Sequence, residues 1–453
     1  MFSKCNSIHE AMLLAYEKLV KIIEVKHLTE VSNSKDIRKI WDSLCLDFHS
    51  LSGGVTKFLD QVDKIYNESK SKYDFLVAFL WFYDKERLFV RSNDKYRYKN
   101  AVFPDVDSGS EIEEGIQIGY YFILPVIFSE IKSSLIKNYE KIVEKTVHEK
   151  SIINRFLKNY SIVENINNKI SLKTVEMHEF VKRIKSYGLK VTLNPIAFKN
   201  FEYYFDINYH TNPSPSFSVK VVDDHEEELI GVFYESLKKS VLKTPDLILF
   251  PEMHLTTKLL DQIPAMIKSL GIERQSLIMV GTLSNETSNT AYLFDNYGNL
   301  VLKQKKYGQL LFKDSKNPDV SYAERREWDD KKDVLLSLLD IVDYGRLSIF
   351  ICKDLFESTK KETLINCSVD YLLMPSYSES NSISDYLKDL TRSRVISVFV
   401  NSYNALLKKD DSEKILGKVT LPNWDSKQRF LEYVLTPNNK SIKDDNLTVD
   451  LVI

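Results

Sequence analysis

The amino-acid sequence predicts an α/β protein in two parts: a mostly helical α+β segment over residues 1–190, then a layered α/β domain over 195–453. Three observations lead there. In the first part apolar residues recur at spacings of three and four, as in "IHEAMLLAYEKLVKIIEV". After residue 190, short runs rich in Val, Ile, Leu and Phe alternate with amphipathic stretches, the pattern of buried strands joined by helices. A chain of 453 residues with 43% hydrophobic content also carries enough apolar material for two cores.

In the first part, "YDFLVAFLWFYDKERLFVRS" reads as two β-prone runs around Asp84-Lys85-Glu86-Arg87, a hairpin near 75–91. "GIQIGYYFILPVIFSEI", at 115–131, is too short to span a bilayer and is flanked by Glu113, Glu114 and Glu130, so it reads as buried core. Ile131, Leu135, Tyr139, Ile142, Val143, Ile153, Phe156, Leu157 and Tyr160 predict a helical stripe over 129–160. A second helix is predicted over 172–187, stopping at Gly188 as a C-cap. Residues 132–190 carry 13 Lys or Arg against 6 Glu, read as the solvated face of amphipathic helices.

In the second part, "FEYYFDINY" reads as a strand, "DDHEEELIGVFYESLKKSVL" as an acid-led helix whose first-turn carboxylates suit its dipole, and "PDLILFPEM" as a buried strand. "SLIMVGTLS", "TAYLFDNYGNLVLKQKK", "RLSIFICKD", "VDYLLMPS" and "RVISVFVNSYN" follow as strands. The "NYG" within "FDNYGNLVL" marks a hairpin turn, so the sheet is not purely parallel.

Composition excludes several classes. Lys plus Arg number 62 against 64 Asp plus Glu, giving no global attraction to nucleic acid or acidic membranes. Cys5, Cys45, Cys352 and Cys367 are too few and scattered for a disulfide framework, and no C-x-x-C pair suggests zinc, so a reducing cytoplasm fits. The N-terminal residues lack the apolar block and cleavage site of a signal peptide. No P-loop or G-x-G-x-x-G fingerprint is present, and no metal or cofactor is implied.

Chemistry gathers where strands end. Glu252 closes "DLILFPE", Lys306 ends "GNLVLKQKK" and Cys352 closes "LSIFIC". Singly, each reads as a chain meeting water or as inert packing. Jointly and in order, with "SYAERREW" between, they resemble the nitrilase superfamily of carbon-nitrogen hydrolases over about 195–453. "PDLILFPEMHL" is similar to the block of the general-base glutamate, Glu252; "VGTLSNETSNTAYLFDNYGNLVLKQKKYGQL" to that of the catalytic lysine, Lys306, with Lys305 as the other register. "SYAERREW" is similar to the segment of the second glutamate, Glu324, and "GRLSIFICKDLFE" to the nucleophile block, Cys352. "INCSVDYLLMPSYSES", "LTRSRVISVFVNSYNA" and "LGKVTLP" resemble the family's later blocks.

The resemblance implies a four-layer α-β-β-α sandwich and hydrolysis of an amide or nitrile through a cysteine thioester. In that chemistry Glu252 takes the thiol proton, Lys306 and the N–H after Cys352 hold the oxyanion, and Glu324 orients the lysine. It also implies a homodimer or larger assembly, while residues 1–190 offer a surface for a protein partner. His254, Lys353 and Asp354 are candidate substrate contacts; a papain-like pairing of Cys352 with His254 is the weaker use of that histidine. His210 has no identified partner, and Cys367 reads as a small buried residue.

The match has departures. "CKDLFES" lacks the Arg and Pro common after the nucleophile, Gln304 stands where a tyrosine is common, and the opening strand at "FEYYFDINYHTNPSPSFS" matches loosely. Two alternatives follow: a binding or scaffold protein that keeps the fold without hydrolysis, as nitrilase-like domains attached to other modules occur in bacterial defence systems, or an acyltransferase whose thioester is taken by an amine.

Overall fold

The computed structural model describes residues 2–5, 8–26, 39–44, 54–85, 116–118, 121–125, 160–164, 170–177 and most of 189–451; stretches such as 325–333, 423–429 and 438–446 fall outside. The chain divides into two compact units, with the described elements up to Glu164 in the first and those from Ile170 onward in the second.

In the first unit, helices Ile8–Lys26, Gly54–Glu68 and Lys72–Lys85 bury Leu19, Phe58, Phe75, Phe79 and Phe82 around Phe2. Asp63 accepts the backbone N–H groups of Phe2 and Ser3 at 2.6 and 2.9 Å. Strand β2 (Tyr121–Pro125) pairs antiparallel with β1 (Ile116–Ile118) and β3 (Tyr160–Glu164). The hairpin expected near 75–91 is instead helix through Lys85, and residues 86–91 lie outside the described ones. The reason is local. Ser71 caps this helix by accepting the Asp74 N–H at 3.2 Å, and Phe75–Leu80 are buried without alternation, as a helix enclosed by core permits. The helix expected over 129–160 falls on residues outside the described set, except that Tyr160 opens β3.

The second unit contains β4 (Ile170–Met177), β5 (Leu189–Leu193), β6 (Phe205–His210), β7 (Ser216–Val221), β8 (Leu247–Leu249), β9 (Leu277–Ser284), β10 (Asn289–Phe294), β11 (Leu300–Lys305), β12 (Leu311–Lys313), β13 (Ser321–Glu324), β14 (Val334–Ile341), β15 (Gly345–Ile349), β16 (Tyr371–Ser376), β17 (Ile396–Asn401), β18 (Gly417–Pro422), β19 (Phe430–Leu435) and β20 (Leu447–Leu451). They form a six-stranded sheet ordered β11-β10-β9-β8-β5-β20, a seven-stranded sheet ordered β19-β18-β17-β16-β15-β14-β4, and a four-stranded sheet ordered β12-β13-β7-β6.

Two boundaries differ from expectation. Residues 170–177 do not begin a helix: β4 pairs in parallel with β14 along its whole length, so this unit starts before residue 190. "ISLKT" at its start alternates branched and polar residues, a period that suits a strand once β14 lies beside it. The six-stranded sheet is entered by β5, parallel to β8, whereas "FEYYFDINY" forms a helical turn and then β6 of the small sheet.

Helices Glu226–Leu242 and Thr257–Ser269 bury Phe233, Leu237, Leu259 and Ile263 together with Ile248, Phe250, Ile278 and Val280 of β8, β9 and the turn after β8. Thr256 caps the second helix through the Leu259 N–H at 3.0 Å. The two large sheets meet through polar contacts: Gln304 of β11 accepts the Ser337 N–H of β14 at 2.8 Å, and Ser337 Oγ donates to the Lys303 carbonyl at 2.9 Å. Gln304, where the resembled family commonly has tyrosine, thus joins one sheet to the other. Among the described residues, no helix is long and apolar enough to cross a membrane.

The strand leading to Cys352 is anchored at its far end by Arg346, which is fully buried. Its guanidinium meets Asp340 at 2.6 and 2.7 Å and the Cys367 carbonyl at 2.6 Å, while Asp370 accepts its backbone N–H at 2.8 Å. Replacing one partner leaves the other charge buried without compensation. Arg346→Met is therefore expected to lower unfolding free energy by about 3–5 kcal/mol in urea titrations, and Arg346→Met with Asp340→Leu by less.

Candidate active site

Four segments bring charge together at the ends of their strands. Beyond β8, Pro251-Glu252-Met253 turns sharply, with Met253 at φ 71°. Its neighbour Gly281 has φ 94°, and a Cβ there would lie 2.3 Å from the Pro251 carbonyl oxygen, so only glycine allows β9 to approach this closely. Met253 N–H donates to Thr282 Oγ1 at 2.8 Å. The turn leaves the Glu252 carboxylate fully buried.

Lys306 follows β11, and its N–H donates to the Asn289 carbonyl at 2.7 Å, one residue beyond the β10–β11 pairing. Its ammonium lies 2.6 Å from Glu252 Oε1 and 2.8 Å from Glu324 Oε2. Lys305, the other register, is exposed. Glu324 ends β13, opposite Phe217 of β7, and its Oε2 accepts the Leu310 N–H at 3.3 Å. Asn289, at the start of β10, donates through Nδ2 to Glu252 Oε1 at 2.8 Å and to Glu324 Oε1 at 3.2 Å.

Cys352 follows β15 at φ 45°, a left-handed conformation costly for a residue with a Cβ, and opens a short 3-10 turn through Phe356. Asp354 holds that turn against the lysine segment: its carboxylate accepts the Ile351 N–H at 3.0 Å, the Tyr307 N–H at 2.7 Å and the Gly308 N–H. A Cβ on Gly308 would lie 2.3 Å from the Lys353 carbonyl carbon, so glycine is required for the close approach. The Cys352 thiol, 6% exposed, lies 3.7 Å from the Tyr377 carbonyl oxygen, while the Tyr377 N–H donates to Glu252 Oε2 at 2.8 Å. Residue 377 therefore links the Cys352 thiol and the Glu252 carboxylate through one residue's backbone. Its loop is held by Asn401, which exchanges bonds with the Ser378 N–H and carbonyl at 2.9 and 2.8 Å.

The electrostatics follow from burial. Burial raises the Glu252 pKa, with Lys306 opposing and Glu324 adding repulsion. Burial works against the Lys306 charge, but Glu252 and Glu324 outweigh it and hold the lysine protonated. Burial, then the charge of Glu252, pushes the Cys352 thiol up to about 12, Lys306 offsetting part of this. At neutral pH the resting group is a thiol that needs a proton acceptor.

The structure thus brings Glu252, Lys306 and Glu324 into one bonded cluster and sets Cys352 against the Tyr377 loop that binds it. Three candidate substrate contacts stand differently. Both ring nitrogens of His254 are occupied, Nδ1 donating to the Glu252 carbonyl and Nε2 at 3.0 Å from Ser402 Oγ, so this ring supports the Glu252 turn and has no nitrogen left for substrate. Both Asp354 oxygens are taken by backbone N–H groups, making it a brace as well. Lys353 is partly exposed, with its ammonium 5.4 Å from the Phe356 ring centroid. Asn289 and Tyr377 are not among the sequence-predicted site residues; counting back through a regular hairpin from Lys306 reaches Ser288, and the slip at Leu293/Phe294 moves the partner to Asn289.

Comparison with solved structures adds a likeness of fold. An amidase from Nesterenkonia sp. is 11% identical, with TM-score 0.33, over 48% of this chain and 76% of that one. A mutant of that amidase in complex with butyramide is 10% identical, with TM-score 0.36, over 57% of this chain and 96% of that one. This chain is similar to nitrilase-superfamily proteins. Nit3 from Saccharomyces cerevisiae, a member of branch 10 of that superfamily, is 14% identical, with TM-score 0.33, over 56% of this chain and 92% of that one. No protein-family model and no curated protein matches the chain. Likeness at these identities and TM-scores carries no chemistry, so function rests on the side chains themselves.

The buried His254 links this turn to pH. Burial lowers its pKa from 6.5 to about 4, opposed by the bond to the Glu252 carbonyl. A neutral ring in the fold and a protonated one in the unfolded chain mean that stability present above pH 6.5 is lost as pH falls toward 4. The loss amounts to about 3 kcal/mol at about 1.4 kcal/mol per pH unit. Urea unfolding of wild type and His254→Gln between pH 7 and 4 is expected to show a flatter pH dependence in the variant.

Proposed function

We propose that residues 168–453 form a carbon-nitrogen hydrolase with Cys352 as nucleophile, acting on an amide-type bond outside peptide backbones. The observation that carries this reading is the buried Lys306 ammonium bonded to both Glu252 and Glu324, with the Cys352 thiol beside the loop that binds Glu252. A lone buried ion pair is often structural; a nucleophile facing a base and a fixed cation is what acyl transfer requires.

The hydrogen bonds distinguish the two oxygens of Glu252. Oε1 already accepts from Lys306 and Asn289, whereas Oε2, among the described residues, accepts only from the Tyr377 N–H. Oε2 therefore has a lone pair for the thiol proton. Loss of that proton lets sulfur attack the carbonyl carbon, forming the C–S bond and moving the π electrons onto oxygen. Lys306 Nζ lies 2.6 Å from Glu252 Oε1 and 2.8 and 3.1 Å from the two oxygens of Glu324; in the reaction one of the N–H groups shared by Glu324 turns to that oxyanion, which the Lys353 backbone N–H also meets. Collapse breaks the C–N bond as Glu252 returns its proton to the departing amine. Glu252 then deprotonates a water that attacks the thioester, releasing acid and free thiol.

This reading brings with it a four-layer α-β-β-α arrangement of the two large sheets and their helices, a homodimer or larger assembly, a cytoplasmic setting and a protein partner for the first unit. In a panel of small primary and substituted amides and nitriles, wild type is expected to release acid from at least one member. Cys352→Ala and Glu252→Gln, folded by circular dichroism, are each expected to lose at least about a hundredfold in rate. Turnover unaffected by Cys352→Ala would overturn the assignment; an amide product formed only with added amine would identify a transferase instead.

A further inference from the structure

We infer that Asn289 is a positioning residue that keeps Glu252 and Glu324 ionised side by side and directs the thiol proton to Glu252 Oε2. This rests on the reading of Glu252 as the base.

Two carboxylates within reach of one ammonium leave a net negative charge in a buried space, and like charges there drive one acid to hold a proton. Asn289 counters this without adding charge. Its amide nitrogen carries two hydrogens, one for Glu252 Oε1 at 2.8 Å and one for Glu324 Oε1 at 3.2 Å, both favouring the ionised acids. The orientation of the amide follows from charge. Turned over, its oxygen would face two carboxylate oxygens. In the orientation present, Oδ1 is buried with no hydrogen-bond partner among the described residues, a cost accepted so that both N–H groups meet the acids.

Backbone geometry explains why this residue is the one facing Lys306. Between β10 and β11 the pairing slips at Leu293/Phe294, so that Leu293 stands opposite Leu302 and Thr290 opposite Lys305, and the Asn289 carbonyl receives the Lys306 N–H. Without that bulge, Lys306 would face Ser288, whose single hydroxyl cannot donate to two acids. The charged and titratable groups around the pair are Lys306 from the end of β11, Cys352 from the end of β15, the Tyr377 phenol after β16 and His254 from the Glu252 turn.

The test needs no substrate. Iodoacetamide is applied to the full chain across pH 4–10, and the rate of Cys352 alkylation is followed by peptide mass spectrometry. Removing donors to an ionised acid raises its pKa, so the acid-side midpoint should move upward by about one pH unit in the similarly sized Asn289→Leu and in Asn289→Val, which add no charge. Asn289→Ser keeps one donor and should shift less. Midpoints equal to wild type in variants that melt normally would overturn the inference, and Asn289→Val serves if Asn289→Leu does not fold. Glu252→Gln separates the two layers: a profile unchanged by it overturns the base assignment, whereas one changed by it and untouched at Asn289 overturns this inference alone.

Discussion

An ammonium group sealed from water persists only where negative charge encloses it, and Lys306 meets that condition between Glu252 and Glu324. The three residues come from the ends of β8, β11 and β13. Each buried ion costs several kcal/mol of lost hydration, recovered only with close geometry and full hydrogen bonding. The surrounding backbone is built to that tolerance. Gly281 and Gly308 stand where any Cβ would strike neighbouring backbone, one pressing β9 against the Glu252 turn and the other pressing the lysine segment against the Cys352 turn.

The same enclosure gives the thiol its character. Burial and the Glu252 carboxylate hold Cys352 in its neutral form, while Lys306 acts in the opposite direction. Burial also raises the Glu252 pKa, which in the proposed reaction makes it a better acceptor for the thiol proton. A left-handed backbone at Cys352 is the strain accepted to place sulfur by the Tyr377 carbonyl, where the adjoining N–H already grips the Glu252 carboxylate. Asp354 and His254 are spent on backbone rather than substrate, one fixing the turn beneath sulfur and the other the turn beneath the base.

Much of this was legible in the residues. Strands such as β8, β15 and β16 announce themselves as largely apolar runs, and the turn at Gly298 places Lys306 by counting. Other parts were not. The run from Phe75 to Phe82 is apolar throughout, so it has no period to separate helix from strand, and Ser71 with Asp74 was its only local sign. β4 is decided by a partner, β14, far along the chain. Asn289 depends on a bulge, which shifts register by one without changing the apolar pattern on either side. Burial turned His254 and Asp354 from candidate contacts into supports, because a sequence does not show which hydrogen bonds are already filled.

In the proposed chemistry Lys306 and its carboxylates make Cys352 an acyl acceptor. The most direct measurement is intact-protein and peptide mass spectrometry after brief exposure to p-nitrophenyl acetate. The expected result is a single acetyl increment on Cys352 in wild type, absent after Lys306→Met in protein that remains folded. Acetylation spread over Cys5 and surface lysines with Cys352 unmodified, or an undiminished Cys352 adduct after Lys306→Met, would contradict it.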